Sequence, residues 1–198
     1  MSPLADAATP GHTIDYWVAA VPVTWNIAPN GQDAIMGMDV PLADTVVQTV
    51  VYRRTTPHWR ASLPNAPRSS SDGLVIPGPL LRARVGERIR IHFKNMDTLR
   101  REPHSMHFHG VHYAPSSDGA FVPGFSGKDA NVKPGQTYTY RLTAGEDSAG
   151  VWPYHDHSPS MTSFGAFSRA NIVACRTLST MGWAALPWVE NERKVTLA

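Results

Sequence analysis

Residues 81–94 read LRARVGERIRIHFK, and their alternation decides the fold class. Leu81, Ala83 and Val85 alternate with Arg82 and Arg84; Gly86 interrupts; then Ile89, Ile91 and Phe93 alternate with Arg88, Arg90, His92 and Lys94. Successive side chains of an extended chain point to opposite faces, so each half presents one apolar and one charged face. The pattern predicts a half-buried hairpin or meander turned at Gly86, with His92 solvated on its polar face.

The same signal recurs on both sides. Downstream, TYTYRLT (137–143) alternates through Tyr138, Tyr140 and Leu142, after a turn at Pro134 and Gly135. Upstream, Thr45–Arg54 (TVVQTVVYRR) is a β-branched strand candidate, and the apolar and aromatic run Ile14–Ile27 fits one or two strands interrupted at Pro22. A long loop (28–45) and a surface excursion rich in Pro, Ser, Asn and Gly (57–79) separate these segments. Short strands divided by turn clusters predict an all-β chain, a Greek-key sandwich or barrel. Its parts are a loose leader at 1–13, one domain at 14–175, and an atypical tail at 176–198 that matches no pattern.

Composition narrows the functional classes. The 198 residues carry 18 Lys plus Arg against 16 Asp plus Glu, a formal charge of +2 that concentrates neither nucleic acid nor an anionic membrane. No stretch approaches the roughly 18 apolar residues of a membrane span. The first residues have neither the basic leader nor the apolar run of a signal peptide, which leaves the location open. One cysteine, Cys175, excludes an intramolecular disulfide framework and any multi-cysteine metal site. It follows Ile172 and Val173, so a buried structural thiol is expected, not a nucleophile. No phosphate-binding loop, HExxH or GxSxG motif is present in the sequence.

Histidine carries the chemistry. Two segments, HSMHFHGVHY (104–113) and VWPYHDHSP (151–159), each contain HxH. Residues i and i+2 of a strand share a face about 6.6 Å apart, so His107 with His109, and His155 with His157, can each aim two imidazoles into one space. Imidazole suits copper, zinc, iron and nickel; four of them without a carboxylate favour copper or zinc over magnesium or calcium. His104 and His112 have the opposite parity and are expected to support the fold or the ligands. His12 and His58 fall in loops. Met36, Met38, Met106 and Met161 are soft donors in principle, with packing as their default role.

The ordered set PGPLLRARVGERIRIHFKN, SMHFHGVHY, Asp118–Gly119, VKPGQTYTYRL and AGVWPYHDH resembles the first cupredoxin domain of a multicopper oxidase of the laccase and copper-resistance type. The likeness covers roughly the central 80 residues and implies a cupredoxin-like fold over 14–175. By that resemblance His107 and His109 take the parts of one type 2 and one type 3 copper ligand, and His155 and His157 those of type 3 ligands. Asp118 takes that of an acid feeding protons toward the oxygen site. Trp152 and Tyr154 match aromatic residues packed beside the cluster, and Asp156 the variable middle position. Dioxygen and a small reducing substrate, phenolic or a metal ion, are the implied partners, and export is the family's habit.

The departures bear on function. The family's cluster takes twice as many histidines, half from a later domain that also carries a type 1 copper. Here no HCH motif exists, and Cys175 with Met181 makes a poor type 1 site, so none is expected. The resemblance thus implies that the chain carries half of an oxygen-reducing site, to be completed by a second cupredoxin domain or by a second copy across a twofold axis. The alternatives are a copper-binding cupredoxin module without turnover, and a zinc hydratase or hydrolase with three imidazoles and one open position, to which HFHG is locally similar.

Overall fold

The computed structural model describes residues 11–26, 28–33, 35–63, 78–159 and 194–197. Over these residues the chain is all-β and cupredoxin-like, with ten strands: β1 (Thr13–Asn26), β2 (Val46–Thr55), β3 (Leu81–Arg84), β4 (Arg88–Asn95), β5 (His107–Phe108), β6 (His112–Tyr113), β7 (Thr137–Thr143), β8 (Gly150–Trp152), β9 (Tyr154–His155) and β10 (Lys194–Leu197). They form a five-stranded sheet β2-β1-β4-β7-β6, a three-stranded sheet β3-β10-β8 and the two-stranded ribbon β5-β9. No helix among the described residues is long and apolar enough to cross a membrane.

The period-2 reading holds for burial. In β4, Ile89, Ile91, Phe93 and Asn95 are buried while the intervening residues are not. Their neighbours in register, Tyr16 and Val18 of β1 and Tyr140 and Leu142 of β7, are buried on the same face. Leu81 and Ala83 of β3, Phe108 of β5 and Tyr154 of β9 join the same core.

The pairing differs from the hairpin expected at 81–94. β3 and β4 enter different sheets, because β4 has parallel β1 on one side and antiparallel β7 on the other. Gly86 adopts φ 94, and a tight turn from Arg84 to Glu87 carries the chain across the sandwich. Alternation reports the buried face of a strand and does not report its partner.

Three smaller expectations are refined. Of the one or two strands expected over Ile14–Ile27 the structure has one, uninterrupted at Pro22; its pairing with β4 ends at Ala20, so beyond that point one edge is open and a residue without N–H costs no ladder bond there. The loop 28–45 ends in a single helical turn at Leu42–Thr45. His92 is only partly exposed on the polar face: it lies opposite Trp17 in register, stacks on that indole at 4.2 Å, and its Nε2 meets the Asp15 carboxylate at 2.7 Å. Most of the leader, with Cys175, Met161 and Met181, lies outside the described residues, although the tail supplies β10 between β3 and β8.

All six tyrosines of the chain donate their phenol to a backbone carbonyl. Tyr16 reaches across the core to Arg82, donating to its carbonyl and accepting from its N–H, and so joins β1 to β3. Tyr140 donates to the Asp129 carbonyl at 2.6 Å and accepts from Met106 N–H at 3.0 Å, and burial keeps this phenol protonated well above its usual range. Tyr140→Phe leaves both backbone groups buried and unpartnered. The expected cost is about 1–3 kcal/mol, read as a lower urea midpoint at unchanged m-value.

Candidate metal centre

β5 and β9 pair antiparallel with His107 opposite His155 and Phe108 opposite Tyr154. Phe108 and Tyr154 turn into the core, so the two histidines emerge together on the other face. His109 and His157 follow with the same parity. Ring centroids lie 4.9 Å apart for His107–His109, 5.2 Å for His107–His155, 5.5 Å for His107–His157 and 5.8 Å for His155–His157. One ring nitrogen from each of His107, His109 and His155 lies within 4.8 Å of the others.

Carbonyls select which nitrogen faces the cluster. His107 Nδ1 donates to the Asp118 carbonyl at 2.7 Å and His155 Nδ1 to the Asp156 carbonyl at 3.0 Å; a carbonyl can only accept, so both rings carry their proton on Nδ1 and present a bare Nε2. His109 Nε2 lies 3.0 Å from the bare His155 Nε2 and donates its proton to it. A metal ion in that proton's place uses the same two lone pairs. Burial, then the neighbouring imidazoles, hold His109 below the usual histidine range, and burial does the same for His155 against the opposing bond to the Asp156 carbonyl; both directions favour the neutral form that metal ligation needs. His157 Nδ1 is buried without a hydrogen-bond partner, another nitrogen a metal would satisfy. An all-imidazole donor set fits copper and does not fit magnesium or calcium.

Two glycines let the surrounding loops close on this cluster. Gly119 has φ +70, and a Cβ there would sit 2.0 Å from the Met106 carbonyl oxygen. That contact brings the Asp118 carbonyl onto His107, with the Asp118 carboxylate 3.2 Å from the same nitrogen. Gly110 has φ +69, and its missing Cβ leaves room for the Trp152 indole, whose ring would lie 2.1 Å from it. Trp152 thus packs on the first HxH segment, whereas Tyr154 turns away into the core against Tyr52 and Phe108.

The other histidines separate by role. His112 is exposed beside Asp147 at 2.8 Å, and His12 stands beside Glu87, so neither belongs to the cluster. His104 is buried between two carboxylates, with Nδ1 2.6 Å from Asp156 and Nε2 3.3 Å from Asp97. Burial alone would lower it, but the bonds and charges of Asp156 and then Asp97 outweigh that and raise its pKa. Met106 is fully buried packing, while Met36 and Met38 are exposed. The resemblance gives Asp156 only the variable middle position of HDH; a buried carboxylate needs partners, and the structure supplies them in His104, Ser105 and Ser158.

Gly119→Ala must displace backbone, since a side chain cannot yield there. We expect a loss of at least about 2 kcal/mol in denaturant titration, together with weakened copper retention as His107 loses its carbonyl partner.

Comparison with known proteins gives the family. The family model described as "Multicopper oxidase" matches residues 72–174, just over half the chain. Human ferroxidase HEPHL1 is 34% identical over 172 residues, covering 73% of this chain and 14% of that protein. Human coagulation factor V is 32% identical over 163 residues, covering 80% of this chain and 7% of its own length. A multi-copper oxidase structure from Pseudomonas Thermotolerans superposes with a TM-score of 0.47 at 22% identity, over 78% of this chain and 27% of that one. The chain therefore spans a small part of these relatives, and within that part it belongs to the multicopper oxidase family, a family of copper proteins.

Proposed function

We propose that this chain supplies half of an oxygen-reducing copper cluster, with His107, His109, His155 and His157 as ligands to type 2 and type 3 copper. The observation that carries the reading is the convergence of two HxH pairs across one two-residue ribbon, with the Nε2 atoms of His107 and His155 left bare. Bound copper supplies the one-electron steps that link a reducing substrate to dioxygen. The chain's residues orient the imidazoles of His107 and His155, and three of the four histidines are partly buried.

Asp118 acts in two ways in this reading. Its carbonyl orients His107, and its carboxylate, about one-third exposed, stands between solvent and the ligand ring where it can pass protons inward. Tyr113, beside His107 at 6.4 Å between ring centroids, is held protonated by burial and by Asp118. Reducing dioxygen to two waters consumes four electrons and four protons, and a partly buried site needs a fixed route for the latter.

The donor is a small reductant, phenolic or a metal ion. The likeness to a protein named ferroxidase favours the metal ion, iron(II) first. A second cupredoxin domain or a second copy supplies the remaining ligands, and export fits the family. A copper-holding module without turnover is the second reading, favoured by the likeness to a coagulation factor, whose name is not an oxidase's.

Replacing His107 and His155 together by Ala should abolish copper uptake measured by metal analysis, with far-ultraviolet circular dichroism unchanged; parental stoichiometry would remove the assignment. Oxidase activity should rise more steeply than in proportion to protein concentration if a second copy completes the cluster. Asp118→Asn should then slow turnover while copper stays bound, because the carboxamide keeps the shape and cannot relay a proton. Equal turnover by that variant would leave the non-catalytic module as the better reading.

A further inference from the structure

The middle residue of the second HxH points opposite to the ligands and is as heavily bonded as any side chain near the site. Asp156 is 2% exposed, and its two oxygens meet four donors. Oδ1 accepts from Ser105 N–H at 3.0 Å, Ser105 Oγ at 3.2 Å and Ser158 N–H at 2.9 Å; Oδ2 accepts from His104 Nδ1 at 2.6 Å. Ser105 Oγ accepts in turn from His157 N–H at 3.1 Å. His104 passes the connection to Asp97, whose carboxylate caps the turn through Leu99, Arg100 and Glu102 N–H. Asp97 N–H is itself held by Asn95 at the end of β4.

This network spans both ligand segments on the face away from the metal. Ser105 stands two residues before His107, and Asp156 lies between His155 and His157. We propose that Asp156, with Ser105 and His104, is the positioning unit that locks the two HxH segments in register and thereby sets copper affinity. The inference rests on the copper reading above, but it concerns a different face and a different set of residues.

Chemistry separates this role from mere stability. Asparagine at 156 can keep its oxygen toward Ser105 and Ser158 and turn its amide toward His104. His104 then becomes neutral, accepts at Nδ1 and still donates from Nε2 to Asp97. Alanine at 156 removes every link between the segments that runs through the carboxylate. Ser105→Ala removes the acceptor of His157 N–H and one of the Asp156 bonds, and leaves the Asp156–His104 pair.

The test is copper(II) affinity of the full chain, by competition with a chelator, together with the copper(II) EPR spectrum. Asp156→Ala should weaken copper binding by about 10–100-fold and alter the hyperfine pattern, as loss of a group that orients metal ligands does. Asp156→Asn should stay within a few-fold of the parent. Ser105→Ala should fall between, at about 3–10-fold, and combining it with Asp156→Ala should cost less than the product of the two, since both act on one network. Val50→Ala, a core truncation in β2, should lose stability without losing affinity.

Parental affinity and spectrum in Asp156→Ala would overturn the proposal, as would an equal affinity loss in Val50→Ala. If Asp156→Ala does not fold, Ser105→Ala decides: parental affinity there overturns the proposal and the stated loss sustains it. A parent chain that takes up no copper defeats the functional reading instead, and so the two failures are distinguishable.

Discussion

Everything in the candidate centre depends on one register, His107 opposite His155. A slip of a single residue between β5 and β9 would send one HxH pair to the core face and bring Phe108 or Tyr154 outward. Two-residue strands cannot enforce such a register by ladder bonds alone. The enforcement comes from outside the ribbon. His109 N–H donates to the Pro153 carbonyl, the Trp152 indole fills the space over Gly110, and the Asp156 carboxylate holds Ser105 and Ser158 on the reverse face.

Phenols complete the frame. Residues 105–108 include the first ligand of the first pair, His107, and four tyrosine contacts fall on them. Tyr52 donates to the Ser105 carbonyl, Tyr140 accepts from Met106 N–H, Tyr113 donates to the Phe108 carbonyl, and the Tyr154 ring tilts against the Phe108 ring. A segment with only two residues in regular pairing must satisfy its other backbone groups somewhere, and a tyrosine can do so while adding apolar area to the core. The alternation that builds the five-stranded sheet therefore also supplies the clamps that hold the ligand segment, since Tyr52 and Tyr140 belong to β2 and β7.

Legibility followed range. The burial of Leu81, Ala83, Ile89, Ile91, Phe93, Tyr140 and Leu142 was readable because period 2 is a local property of one strand. The placement of β3 and β4 in separate sheets was not, because it depends on which edges β1 and β7 already occupy. The four histidines were readable as two convergent pairs, since parity within HxH is also local. Asp156 was not: its role comes from Ser105 and His104, some fifty residues away in sequence, and nothing in HDH itself separates a bonded carboxylate from a spacer. The partners of His92 were unreadable for the same reason, because the indole of Trp17 on a neighbouring strand covers part of its ring.

The half-site is organised before it meets any partner, and this has consequences for assembly under the reading proposed above. The Nδ1 protons of His107 and His155 are already committed to carbonyls, so these two rings lose little freedom when they bind metal. His109 is the most exposed of the four. A complementary half then has to supply its own imidazoles and the association free energy, and need not reorganise this one. Metal shared between the halves binds the assembled form better than either part, so occupancy and assembly reinforce each other by mass action. A chain with Asp156 unable to bridge Ser105 and His104 would lose this advantage twice, once in its own affinity and again in the geometry it offers the other half.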